Sequence, residues 1–152
     1  MYIGDFLIKY IPASLNDVSW IDNVIKNEFP YAEFSESDIS SKLNNSNFCL
    51  WCAYQGNIPL GFVEGQFFEE TKECRLNAVF VDDSFREQGI GTNLVKKLIR
   101  ECMKRNVPRM FLLVKQENDV AKKLYVKSGF VFEKIHDKVI EGSTVEVWSR
   151  KI

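Results

Sequence analysis

At 152 residues with a 45% apolar fraction, the chain has the size of one domain, 1–152, built on one core. Its formal net charge is −1, with no long run of one sign, which argues against a nucleic-acid partner because such surfaces carry a basic stripe. No apolar run reaches membrane-spanning length, and Met1-Tyr2-Ile3-Gly4-Asp5 lacks the basic opening of a signal peptide, so a cytoplasmic setting without membrane contact is expected.

Residues 6–11 read as a first strand, stopped by Pro12. Ser14 and Asn16 are candidate caps for a helix carrying Val18, Trp20, Ile21, Val24 and Ile25, a spacing that buries one face. Pro30 ends it, and a shorter helix follows Ser35 or Ser37, through Ile39 to Leu43. Residues 48–54 form a strand, 55–57 a turn, and 59–68 the returning strand of a hairpin. After the polar turn at 69–72, residues 75–81 make the next strand. Ile90, Leu94, Val95, Leu98, Cys102 and Met103 then recur at helical spacing from a start near Thr92, with Lys and Arg on the other face. Asn106-Val107-Pro108 closes that helix, and 110–114 is an apolar strand. Asn118 caps a helix to about Ser128, with Gly129 as its stop. Residues 130–138 and 144–148 form a last hairpin around Glu141-Gly142. The order βααβββαβαββ predicts an α/β (α+β) fold, a mixed, mostly antiparallel sheet flanked by helices.

The spacing Cys49-x-x-Cys52 invites a metal or redox reading. The segment reads as a strand, however, and residues three apart on a strand point to opposite faces. With no second cysteine pair and a single histidine, His136, no metal site is expected. His136 is read as a strand or turn residue.

Arg86-Glu87-Gln88-Gly89-Ile90-Gly91 lies between the apolar run Val79-Phe80-Val81 and the amphipathic helix. A glycine-bearing turn that opens a helix presents backbone N–H groups with no intrahelical partner, and the helix dipole adds positive charge there. Gly89 and Gly91 carry no Cβ to hold an anion away. A pyrophosphate-bearing ligand is expected. It is not held by a dinucleotide fingerprint, because Leu94 stands where the third glycine belongs, nor by a P-loop, because Gly91 is followed by Thr92 and Asn93.

The motif Arg86-x-x-Gly89-x-Gly91 after a strand resembles the acyl-CoA-binding loop of the GNAT superfamily of N-acetyltransferases. Asn118-x-x-Ala121-x-x-Leu124-Tyr125, followed by Gly129-Phe130, is similar to that family's later signature, in the same order and spacing. The resemblance covers about residues 73–132. It implies acetyl-CoA as co-substrate and direct transfer of the acetyl group to a primary amine, either a small molecule or a peptide N-terminus, by a monomer or homodimer. The strands before the glycine turn and before the last helix would splay apart to admit the pantetheine arm. Val79, Phe80 and Val81 would face that arm and the acetyl group through exposed backbone. Arg86, Glu87, Gln88, Gly89, Ile90, Gly91 and Thr92 would cradle the pyrophosphate, and a backbone N–H near Val81 would bond the thioester carbonyl as negative charge develops there.

The same resemblance makes Tyr125 the proton donor to the leaving thiolate, a transfer from a phenol near ~10 to a thiol near ~8.5. Asn118 would cap its helix or contact the cofactor. Lys122, Lys123, Lys127 or Arg86 would meet the 3′-phosphate. For the general base, Glu64 and Glu73 are the candidate carboxylates. Leu113, twelve residues before Tyr125, stands where bacterial ribosomal-protein N-terminal acetyltransferases carry a glutamate, while Phe29-Pro30-Tyr31 is similar to their substrate-loop element. Such an N-terminal protein acetyltransferase, or a catalytically idle acyl-CoA-binding module, are the alternative readings.

Overall fold

The computed structural model describes residues 7–30 and 35–152. Strand β1 is Ile8–Pro12. Pro12 does not stop it but forms its last pair, with Trp51, a place where a missing N–H does no harm on an edge strand. Phe6 lies outside the described residues. Ser14 starts a single 3-10 turn: its backbone N–H donates to Asp17 Oδ2 at 2.8 Å, one half of a capping box. The turn runs into helix α1, Val18–Glu28, whose buried residues Val18, Ile21, Val24 and Ile25 make the expected stripe. Ser35 caps α2, Glu36–Leu43, and its hydroxyl accepts from the Asp38 N–H.

Strands β2 (Phe48–Gln55), β3 (Ile58–Phe68) and β4 (Glu73–Val81) follow as a meander. Helix α3 is Ile90–Lys104, β5 Arg109–Lys115 and α4 Asp119–Lys127. The last strands, β6 (Val131–Ile135) and β7 (Val145–Lys151), form the expected hairpin. At its tip Glu141 and Gly142 both have positive φ, 49° and 76°, as a tight two-residue turn between twisted strands requires. Helix α3 begins two residues earlier than Thr92, β6 is shorter than expected, and β7 is longer.

The seven strands of the described residues share one sheet in the order β1-β2-β3-β4-β5-β7-β6. Among the described residues only β4 and β5 are parallel, and they pair over just four residues, from Glu73↔Arg109 to Leu76↔Leu112. Past that point they part. A bulge marks the same place: Glu64 and Gly65 of β3 face Ala78 and Leu76, leaving Asn77 as the extra residue of β4. An extra residue bends its strand and increases the local twist, which moves the end of β4 away from β5.

Helices cover the two faces unequally. On one, α3 and α4 bury Leu60, Val63, Leu76, Leu94, Leu98 and Leu112 among others. On the other, α1 and α2 close over Leu50, Cys52 and Phe62. Each Leu or Phe fully buried in these layers contributes about 1.5–3 kcal/mol.

Candidate active site

The site grows from the parting of β4 and β5. The Asp82 N–H donates across to Leu60 O at 2.8 Å. Backbone groups alternate in direction along a strand, so those of Val81 and Val79 turn the other way, into the gap. Their side chains, with that of Val81 nearest α3, pack on the α3/α4 core, while Phe80 packs on the α1/α2 core. Phe80 meets Trp20 and Phe62 there at ring separations of 6.1 and 6.3 Å. For the two valines the side chains therefore serve packing while the backbone faces the gap, where Val81 O accepts from Arg86 Nε.

Beyond Val81 the chain makes a short 3-10 turn at Asp83–Phe85 and enters the glycine turn. Glu87 and Gly89 both have positive φ, 65° and 78°. Left-handed residues alternating with ordinary ones turn successive N–H groups toward one concavity. Gly89 is the N-cap of α3 and no side chain caps it. The first helical bond is Asn93 N–H to Gly89 O, 3.0 Å, so the N–H groups of Ile90, Gly91 and Thr92 precede the ladder and point out of the helix end. A Cβ on Gly89 would meet nothing within 4 Å, whereas one on Gly91 would sit 3.2 Å from the Leu124 side chain. Gly89 is thus a conformational requirement and Gly91 a close approach of α3 to α4. A helix end with uncapped donors, opened by a left-handed glycine with free space around it, fits a pyrophosphate.

Arg86 is tied down rather than extended. Its Nε donates to Val81 O at 3.1 Å and its Nη2 pairs with Asp83 at 2.8 Å, bracing the turn against the strand end. Lys122 is committed too, 3.0 Å from Glu146 and bonded to Gln116 O. Lys123 and Lys127 are exposed on α4 and keep the 3′-phosphate role open. Glu87 and Gln88 are exposed at the turn.

Asn118 caps α4 through its Oδ1, which accepts from the Ala121 N–H at 3.2 Å. Tyr125, one residue past Leu124, is 8% exposed on the α3/α4 side. Its ring meets Phe130 edge-on at 6.0 Å. Helix α4 thereby brings Tyr125 to the same face as the glycine turn.

The two candidate carboxylates separate. Glu73 opens β4 at the paired end, about 25 Å along the strand from Val81 at ~3.3 Å per residue, and is held by Arg109 at 2.7 Å. The fold does not bring it to the gap. Glu64 does lie beside the bulge, paired across with Ala78. It is 5% exposed, and Lys42 Nζ donates to both its oxygens at 2.9 and 3.1 Å while Asn77 Nδ2 donates at 2.6 Å. Its proton-accepting positions are largely filled. Leu113 sits half-buried in β5 beyond the parting, paired with Val147.

Of the polar set Lys42, Glu64, Gln66, Arg75 and Asn77, only Glu64 was singled out in the sequence. The one signal for the rest was Asn77, a polar residue set between Leu76 and the apolar run Ala78-Val79-Phe80-Val81. The cysteines behave as their spacing implies: Cys49 packs with the α3/α4 core and Cys52 with the α1/α2 core. Burial pushes their thiols up to about 11 and about 12. His136 belongs to the hairpin, its backbone N–H donating to Val145 O at 2.8 Å.

A sheet parted beside the uncapped, glycine-opened start of a helix is the architecture of an acetyltransferase. The chain belongs to the GNAT family of acetyltransferases, whose family model matches residues 15–130. It is 34% identical over 84 residues to an uncharacterised N-acetyltransferase of Methanocaldococcus jannaschii, an alignment covering 52% of this chain and 37% of that relative's length. The fold is shared with the PaiA N-acetyltransferase of Thermoplasma acidophilum, solved in complex with coenzyme A. That match has a TM-score of 0.81 at 17% identity and covers 96% of this chain and 99% of the other. It is also shared with the ribosomal-protein-S18-alanine N-acetyltransferase of Escherichia coli, with a TM-score of 0.77 at 21% identity over 96% of this chain and 94% of the other.

Proposed function

We propose that the chain moves an acetyl group from acetyl-CoA directly to a primary amine. The observation that supports this reading best is the parting of β4 and β5 beside the uncapped N-terminus of α3, with α4, which carries Tyr125, packed on α3 through Leu124 and Gly91. When bound, acetyl-CoA supplies the activated thioester. The chain's own part is to hold and orient. The N–H groups of Ile90, Gly91 and Thr92 hold the pyrophosphate, and the gap-facing backbone of Val79 and Val81 aligns the pantetheine arm. The Val81 N–H bonds the thioester carbonyl, where a fixed donor matters most as charge builds. Tyr125 gives its phenolic proton to the departing sulfur.

The base is the part the chain supplies least. With Glu64 bonded to Lys42 and Asn77 and with Leu113 in β5, deprotonation of the amine falls to solvent. The retained tyrosine favours a working enzyme over an idle binding module.

The test is ligand-induced stabilisation. Micromolar-range affinity, roughly −8 kcal/mol, should raise Tm when acetyl-CoA is present at many times its Kd. Gly89→Val should abolish that rise. Its own structural cost is limited to forcing a left-handed conformation, about 1–2 kcal/mol, because nothing crowds the position. A wild-type protein whose Tm ignores millimolar acetyl-CoA and CoA would sink the proposal.

A further inference from the structure

The tip of the β6/β7 hairpin is tied back to the chain leaving β5. Its two-residue turn, Glu141-Gly142, is closed by Ile140 and Ser143, each donating its N–H to the other's carbonyl at 3.1 and 2.9 Å. Three further bonds fasten the tip in place. The Gln116 N–H donates to Thr144 O at 2.9 Å, the Ser143 hydroxyl to Glu117 Oε1 at 2.6 Å, and Lys115 Nζ to Glu141 Oε1 at 2.7 Å. Glu141 Oε2 has no partner among the described residues.

The strand register sets that tip beside the reacting end of the gap. Leu76 of β4 pairs with Leu112 of β5, and Asn77 is the extra residue of the bulge. Beyond the bulge, Ala78, Val79 and Phe80 run level with Leu113, Val114 and Lys115, and Val81 follows one residue on. Met110, Leu112 and Val114 pack on the α3/α4 core, so Leu113 and Lys115 face the α1/α2 side by alternation. A gap that admits one extended arm separates β4 from β5 by about two strand spacings, roughly 10 Å. The arm then runs about 5 Å from the Lys115 backbone. The Lys115–Glu141 pair therefore stands on the β5 rim of the gap, at the level of the thioester.

The β4 rim is aromatic. Phe80 is half-buried on the α1/α2 side, with the half-buried Trp20 ring 6.1 Å away. A donor lying in the gap with its pyrophosphate on α3 has α3 and α4 on one side, so the acceptor enters from the α1/α2 face, between these two rims. Of the carboxylates near this mouth, Glu64 is closed by Lys42 and Asn77. Glu141 is exposed and keeps one oxygen for a further donor.

We propose that Glu141 binds an ammonium group of the acceptor, so that the acceptor enters as an alkylammonium ion rather than as a weakly basic, uncharged amine. This rests on the transferase reading above. The carboxylate accepts a charge-assisted hydrogen bond from the ammonium, and the faces of Phe80 and Trp20 attract the same charge from the other rim. Two sources share the chemistry, the nitrogen that is acetylated and a second ammonium of a diamine.

The experiment measures kcat/KM for two matched pairs. Ethylamine is set against trifluoroethylamine, which is uncharged at neutral pH, and diaminobutane against aminobutanol, which carries one ammonium instead of two. Each amine is compared with itself between wild type and Glu141→Gln, so its intrinsic reactivity cancels. Glu141→Gln should lower kcat/KM for the more highly charged member of one pair roughly tenfold more than for its partner, the scale of a lost hydrogen bond to a charged group. The loss should appear in KM, and Glu141→Asp should recover part of it. A split in the first pair locates the contact at the reacting nitrogen, and a split in the second at the distal ammonium. Equal losses within both pairs, no loss for any amine, or no turnover of all four while acetyl-CoA still stabilises the protein overturns the assignment. Absence of acetyl-CoA stabilisation in the wild type is the separate failure of the transferase reading.

Discussion

Tyr125 illustrates how much a single side chain inherits from its surroundings. It is buried against Phe130, yet its helix starts at the Asn118 cap and touches α3 through Leu124 and Gly91. Changing it to Phe keeps the ring packing and removes only the hydroxyl. Turnover should fall by about ten- to a thousandfold, within reach of the ~10² to 10⁴ of lost acid–base help, and acetyl-CoA affinity should hardly move. Steady-state kinetics with a calorimetric Kd would check both, and unchanged kcat would reduce Tyr125 to scaffold. Residues whose role lies in local backbone were readable from their spacing, as Gly89 and Asn118 show. Residues whose role depends on distant partners were not. Glu73 and Glu64 looked equivalent as carboxylates. Only the strand register sends the first to Arg109 and places the second under Lys42, 22 positions earlier in the chain.

At the level of elements, α4 is fastened to the sheet by an ion pair that its sequence did not announce. Lys122 of α4 meets Glu146 of β7, which also accepts from Trp148 Nε1 at 2.9 Å. Burial alone would raise the Glu146 carboxyl, but the hydrogen bonds from Trp148 and Lys122, with the Lys122 charge, hold it below its ordinary value. Glu133 is held below its ordinary value as well, first by the hydrogen bond from Arg109. A carboxyl with a lowered folded-state pKa contributes stability that is complete above its unfolded value, near ~4.3, and disappears as pH falls through the folded value. Tm should therefore decline on acidification from about pH 4.3 downward. Glu146→Gln should lower Tm at neutral pH and flatten the acid decline, and thermal melts across that range would show it. An unchanged acid slope in the variant would assign the loss to other carboxylates. Element order was legible throughout because caps and apolar spacing are local signals. The bulge at Asn77 was not, since it is defined only by which residues of β3 lie opposite.

The whole molecule is a sheet with a packed layer on each side, and its cysteines sample both. Cys52 lies in one layer, Cys74 and Cys102 in the other. Hydrogen bonding to Cys102 and burial push the Cys74 thiol well above its usual range. If both layers unfold as one cooperative unit, these three thiols should react with an excess of a thiol reagent at one common rate set by global unfolding. Mass spectrometry of the labelled peptides would reveal separate opening of the layers as two distinct rates. The parted strands carry a further consequence at this scale. A sheet normally has two rims, and here β4 and β5 create two more in its interior, each with backbone groups that lack a neighbouring strand. Such rims recruit any extended chain that reaches them. A thioester arm bound there would act as a missing strand, so self-association and proteolysis of the folded protein should be slower with acetyl-CoA than without it, as light scattering and limited proteolysis would show.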